Sequence, residues 1–150
     1  CLSRGLGDVY KRQVSPSARY GFPIARTLGN ALSMQNYARI TALLGVAKVK
    51  DIMMTSRLMD AREMVACGMA AELVETEEAL LPRVQELAGQ IAQNAPLTLQ
   101  ATKESLRRVT QRLVPDGEPS DMILLAYLSH DFHEGVDAFL EKRKPVWTGD

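Results

Sequence analysis

"TSRLMDAREMVACGMAAELVE", residues 55–75, is the stretch whose reading decides the fold. Residues 56–59 read as a short extended piece. Asp60 offers a side-chain oxygen to the free amides of a helix start, and Glu63 completes the capping-box spacing. Gly68 stands where a left-handed helix stop is wanted. Residues 69–74 then read as a short strand, so the local order is strand, two-turn helix, strand.

On the N-terminal side, "VSPSARYGFPIARTLGN" (residues 14–30) is punctuated by Pro16, Gly21, Pro23 and Gly29, which predicts extended chain and loop with one short strand. From Ser33 the period changes: Tyr37, Ile40, Leu44 and Ala47 fall at helical spacing. Ser33 is a suitable N-cap for a helix over 34–54, broken at Gly45.

On the C-terminal side, Thr76, Glu77 and Glu78 open a helical region, with acids near its positive end. Pro82 suits a first turn, so the regular helix is expected to begin there. Val84, Leu87, Ala88, Ile91 and Ala92 make its apolar stripe. Pro96 opens the next helix, which carries Leu99, Thr102, Leu106, Val109 and Leu113 on one face. "VPDGEPSD" (114–121) is a loop, and Met122, Leu125 and Ala126 mark a short helix. Asp131 and Glu134 repeat the capping-box spacing, and Phe132, Val136, Phe139 and Leu140 line the last helix before Pro145 and a tail. The fold class is therefore mostly α with short β segments. Each amphipathic helix must bury its stripe, and part of that surface calls for a sheet or a second subunit.

Composition excludes several classes. Of 150 residues, 18 are basic and 18 acidic, so net charge is +0 and no nucleic-acid surface is indicated. The hydrophobic fraction is 46%, but no apolar run approaches the roughly 20 residues of a membrane span. The two cysteines, Cys1 and Cys67, argue against a disulfide framework and for a reducing, cytoplasmic setting.

The opening "CLSRGLGDVYKRQ" continues no period of its neighbours. Asp8 to Gln13 reads letter for letter as a translated transposon end of the kind used in sequencing libraries. Residues 1–13 are accordingly expected to be a disordered, adaptor-derived leader, set aside from fold reasoning.

The residues themselves assemble no complete active site. "GVAKVKD" (45–51) lacks a phosphate-loop fingerprint. His130 and His133 have no third metal ligand beside them and read as solvated or capping residues, so no metal is expected. Asp131 and Glu134 could be an acid/base pair, but capping explains both more economically. Cys67 reads as a buried structural thiol. "EKRK" (141–144) suits a helix C-terminus and could also meet phosphate.

Four stretches taken together carry a resemblance: "SARYGFPIARTLGN" (17–30), residues 55–75, "NAPLTLQATKESL" (94–106) and "DFHEGVDAFLEKRKPVWTG" (131–149). Their order and spacing resemble the C-terminal part of the enoyl-CoA hydratase/isomerase (crotonase) superfamily, over residues 14–150. The resemblance implies a spiral of ββα units, α/β in the complete protein, followed by a helical trimerisation region. Residues 14–54 would end the spiral core and carry the following helix, and residues 55–150 would be the trimerisation region.

It further implies chemistry through an enolate of an acyl-CoA thioester, held by two backbone N–H groups. Those donors and a first catalytic Glu would lie upstream of Val14, leaving no catalytic residue in this chain and little turnover from it alone. A second Glu normally follows the Pro of a family "FG-x-P-E" motif. Here "YGFPIA" (20–25) puts Ile24 at that place, and an aliphatic side chain moves no proton.

Phe22, Pro23 and Ile24 would line the acyl pocket. Phe139 and Lys142 match positions that reach CoA, Phe139 as an apolar wall and Lys142 as a point charge near phosphate. No cofactor is implied, CoA being part of the substrate. The implied partners are an acyl-CoA and further copies in a homotrimer or hexamer, with no nucleic acid and no membrane. Two other readings remain: a non-catalytic helical interaction or oligomerisation module, and a family enzyme with other chemistry such as decarboxylation or thioester hydrolysis.

Overall fold

The computed structural model describes residues 13–113 and 121–150. The leader up to residue 12 and loop residues 114–120 lie outside the described residues. In chain order the elements are β1 (Gln13–Val14), β2 (Arg19–Tyr20), α1 (Ile24–Thr27), α2 (Met34–Met54), β3 (Met59–Asp60), α3 (Ala61–Ala66), β4 (Glu72–Leu73), α4 (Leu80–Ala92), α5 (Pro96–Gln111), α6 (Asp121–Tyr127) and α7 (His130–Leu140). Helix dominates and the strands are two residues each, in keeping with the mostly α reading with short β segments. Gln13, expected to belong with the leader, is the first residue of β1.

The described chain forms two compact units. The first joins the chain up to Tyr20 with Met59–Thr110. In it β1 runs parallel to β4, with Gln13 opposite Glu72, and β2 runs antiparallel to β3, with Tyr20 opposite Met59. The deciding stretch keeps the order read from sequence, but its extended pieces are shorter: Ser56 takes a left-handed φ of 52°, and the strands are only Met59–Asp60 and Glu72–Leu73. The Asp60 carboxylate accepts from the Glu63 amide at 2.8 Å, α3 makes under two turns, and Gly68 takes φ 76°. This sharp reversal sends Met59, Met64, Met69 and Val74 into one core. Met59 is fully buried, which is worth about 1.5–3 kcal/mol relative to exposure.

Helix α4 starts at Leu80, two residues before the expected Pro82. Proline within the first turn removes only an amide that would lack a helical partner, so the helix passes through it. The Thr76 hydroxyl accepts from the Ala79 amide at 3.3 Å and leads the chain into the turn. Arg83 then ties α4 to β4 through both Glu72 oxygens, at 3.0 and 2.9 Å. Of the expected α4 stripe only Leu87 is buried; Val84, Ala88 and Ala92 are exposed and Ile91 half-buried. On α5 the expected face is also open, with Leu106 and Val109 exposed.

The second unit joins Gly21–Leu58 with Gln111–Asp150. The Ser33 hydroxyl accepts from the Asn36 amide at 3.3 Å and caps α2. Gly45 breaks that helix, at φ 74° and ψ 156°, as the sequence predicts. The break resets the helical phase. Before it Ala38 and Ile40 are buried; after it Val49 and Ile52 are buried, while Ala47, expected inside, is exposed.

Helix α7 departs most from expectation. Its N-cap is Ser129, whose hydroxyl accepts from the Phe132 amide at 3.1 Å; Asp131 does not cap it. The buried face is Gly135 and Ala138, whereas Phe139 and Leu140 are about 70% exposed. The cause is a close backbone crossing. A Cβ on Gly135 would lie 2.6 Å from the Leu28 carbonyl oxygen, so only small residues fit the contact side and the large ones turn outward. No helix of the described residues is long and apolar enough to cross a membrane.

Candidate functional site

Two neighbourhoods of the second unit hold the residues singled out by sequence. The first is α1. Pro23 fixes its entry and its carbonyl accepts from the Arg26 and Thr27 amides, both at 3.1 Å. The Leu28 and Gly29 amides close the other end on the Ile24 carbonyl, at 3.0 and 2.8 Å. Gly29 takes φ 64°, a left-handed stop that favours glycine.

Upstream, Gly21 passes against the Arg57 carbonyl oxygen, which a Cβ would approach to 2.5 Å. Arg57 is in turn held by Asp51 near the end of α2, with its Nε at 3.1 Å. The peptide carrying Phe22, Pro23 and Ile24, all half-buried, is thus pinned at both ends.

An open cleft of about 390 Å³ lies between α1 and α2. Ile24 and Ala25 form its α1 side, facing Tyr37, Thr41, Val49 and Lys50 from α2. Among the described residues, none that lines it is a carboxylate. Ile24 is where the sequence resemblance expects a glutamate, and here it serves as apolar wall. Phe22 and Pro23 lead into α1 but do not line the cleft.

The second neighbourhood is the end of α7. The Lys142 amide donates to the Phe139 carbonyl at 3.4 Å and the Arg143 amide to the Ala138 carbonyl at 3.0 Å, a Schellman closure. Its left-handed position, normally glycine's, is held by Lys142 at φ 55°. A non-glycine residue there costs about 1–2 kcal/mol. Arg143 does not share the open position: it pairs with Glu134, its Nη2 2.8 Å from Oε2, and with Glu141 at 2.6 Å. Among the described residues Lys142 forms no ion pair, and both it and Phe139 are exposed.

The Leu28–Gly135 crossing joins α1 to α7. Phe139 follows it at roughly 6 Å along the helix axis, and Lys142 stands just past the end of α7.

Asp131 and Glu134, read from sequence as a capping pair, hold the tail instead. Asp131 accepts from the Thr148 and Gly149 amides at 2.7 and 3.0 Å, and Glu134 from the Val146 amide at 2.9 Å. The Thr148 amide, above all, lowers the Asp131 carboxyl below its ordinary range. The Arg143 guanidinium, with the Val146 amide second, brings Glu134 down to about 2. No local sequence signal marks these bonds, because the donors lie 12 to 18 residues away.

His130, Asp131 and Asp150 bring possible ligand atoms within 4.8 Å of one another. Both Asp131 oxygens accept tail amides, and Asp131 is half-buried while His130 and Asp150 are exposed. Cys67, expected to be buried, is half-buried, its Sγ 3.5 Å from the Met64 carbonyl oxygen.

The short strand–helix–strand of the first unit and the helices that follow make a mostly helical chain with scraps of strand. The family model for enoyl-CoA hydratase/isomerase matches residues 13–150, and the chain belongs to that family. Among curated relatives, a carnitinyl-CoA dehydratase of Citrobacter koseri is 35% identical over 141 residues, covering 89% of this chain and 52% of its own. Among solved structures, a methylmalonyl-CoA decarboxylase bound to 2-nitronate-propionyl-CoA superposes with TM-score 0.83 at 26% identity, over 94% of this chain and 55% of its own. A carnitinyl-CoA dehydratase from Mycobacterium avium 104 gives TM-score 0.70 at 26% identity, over 92% and 55%. The chain spans about half the length of the curated relatives it matches.

Proposed function

We propose that residues 14–150 serve as the C-terminal portion of an acyl-CoA enzyme that works through a thioester enolate. Family membership supports the enolate chemistry, in which oriented backbone N–H groups hold the developing negative charge. The donors and the first carboxylate would come from the part of the relatives' length that this chain does not span. The chain alone is therefore expected to turn over little substrate. In the complete enzyme the cleft beside α1 takes the acyl group, Lys142 meets a CoA phosphate, and Phe139 offers an apolar wall to the cofactor portion of the substrate. The open apolar faces of α5, α6 and α7 are the surfaces that a homotrimer or hexamer would cover.

The observation that carries the mechanistic reading is Ile24. Hydration needs a second group to manage water, and among the described residues no carboxylate lines the cleft. A single upstream carboxylate moving one proton between carbons, as in an isomerase, remains compatible with Ile24. Decarboxylation is the second reading and the same residue favours it. When the bond from Cα to a carboxylate breaks, its electron pair flows into the thioester carbonyl, CO₂ departs, and the enolate forms with no base removing a proton. The likeness to a methylmalonyl-CoA decarboxylase supports it too.

The test is to offer the complete protein three thioesters in D₂O: a β,γ-enoyl-CoA, an α,β-enoyl-CoA and a 2-carboxyacyl-CoA. Double-bond shift with deuterium uptake supports the isomerase reading. CO₂ release supports the decarboxylase. Inertness toward all three, with self-association retained, supports a non-catalytic oligomerisation module.

A further inference from the structure

We infer that Trp147 is a positioning residue for the α1 wall of the cleft. The segment 145–150 acts as a clasp that presses its indole against Gly29 and fixes the backbone carrying Ile24. The functional weight of this inference rests on the acyl-pocket reading; the clasp itself rests on contacts within the second unit.

Helix α1 cannot hold itself. It has four residues, no side-chain cap and no buried residue. A single turn fixes several dihedral angles for few hydrogen bonds and is unstable alone. Its closing bonds come from the Leu28 and Gly29 amides. Both residues are closely approached by the C-terminal part of the unit. Leu28 lies under Gly135, and Gly29 lies between the Asp131 carbonyl and Trp147: a Cβ there would be 3.2 Å from the Asp131 oxygen and 3.2 Å from Trp147 Cζ3.

The indole is held on both flanks. The amide before it, of Val146, donates to Glu134, and the amide after it, of Thr148, donates to Asp131. Asp131 therefore lies beside Gly29 with its carbonyl and anchors the tail with its carboxylate. Asn30, next along the chain, lines the cleft, so any release of Gly29 reaches the cleft directly.

Amide hydrogen exchange on the full chain tests this. Exchange at Leu28 and Gly29 would be compared in the native chain, Trp147→Ala, Trp147→Phe and Asp131→Asn. Glu63 and Ala70, in the other unit, serve as controls. Trp147→Ala is expected to speed exchange at Leu28 and Gly29 by about tenfold or more, with controls unchanged. Trp147→Phe, which keeps an aromatic face, should restore most of the protection. Asp131→Asn keeps one acceptor oxygen but turns an NH2 donor toward the other tail amide, so it should loosen the tail at that amide, with Leu28 and Gly29 following.

Unchanged protection at Leu28 and Gly29 in Trp147→Ala would overturn the inference. So would a loosened tail in Asp131→Asn with those two amides still protected. If Trp147→Ala fails to fold, the Asp131→Asn comparison decides. Acetyl-CoA titration of the complete native protein is read separately. An absence of saturable binding there counts against the acyl-pocket reading and leaves the exchange comparison intact.

Discussion

Gly135 and Leu28 meet backbone to backbone. A Cβ on Gly135 would approach the Leu28 carbonyl oxygen to 2.6 Å and its Cα to 2.9 Å. Neither atom is the end of a flexible side chain, so the backbone itself would have to move. Gly135→Ala is expected to destabilise the second unit by about 1–3 kcal/mol through overpacking. Thermal unfolding should show a fall in Tm of about 2–10 °C. A Tm at or above that of the native chain would contradict the crossing.

Lys142 separates stability from binding. Relief of its left-handed backbone is partly offset by the greater unfolded-state freedom of glycine, so Lys142→Gly should gain about 0.5–1 kcal/mol. If the ammonium meets a CoA phosphate, the same variant should bind CoA more weakly in the complete protein. Denaturant midpoints and CoA titration together check this pair of opposite signs. A variant that is more stable and binds CoA as well as before would remove Lys142 from the proposed site.

The tail clasp should be acid-labile in a definite direction. Glu134 is lowered from an ordinary 4.5 to about 2 by Arg143 and the Val146 amide, with His130 adding a smaller favourable charge. Asp131 is also lowered. A depressed carboxyl contributes its stability fully above its unfolded value and loses it as pH falls through the folded one. Trp147, the single tryptophan, should therefore keep constant emission above about pH 5 and become more solvent-exposed as pH falls from 4.5 toward 2. Exposure that begins near neutral pH would contradict the assignment of these two carboxylates as the anchor.

In the first unit, the cap of α3 is open to a direct test. Asp60→Ala removes the acceptor of the Glu63 amide and should cost about 1 kcal/mol. Asp60→Asn keeps an oxygen in place and should cost less. Equal losses in the two variants would show that charge rather than capping sets the role of Asp60.

What was legible in the sequence was local. Ser33, Asp60, Gly45 and Gly68 act on backbone groups a few residues away, and each sits as its residue type predicts. What was hidden is set by residues far apart in the chain. Asp131 and Glu134 have capping spacing, yet their partners are tail amides 12 to 18 residues on. The α7 stripe was assigned to large apolar residues, but contact with Leu28 selects Gly135 and Ala138 and turns Phe139 outward. Of the cleft beside α1, the sequence marked only the "YGFPIA" peptide, and Phe139 and Lys142 were marked by the resemblance at the end of α7. The cleft partners Tyr37, Thr41 and Lys50 belong to a different helix, which folding brings opposite Ile24.

The central claim is that this family member carries an aliphatic wall where a hydratase would use a second carboxylate. Steady-state hydration of crotonyl-CoA by the complete protein, followed by loss of enoyl-thioester absorbance, tests it most directly. Missing general acid–base help is worth about 10²–10⁴ in rate against a typical kcat of about 10 s⁻¹, so the account predicts a kcat for hydration below about 0.1 s⁻¹ with native Ile24. Hydration in the ordinary enzymatic range, about 1–10³ s⁻¹ with Ile24 in place, would contradict it.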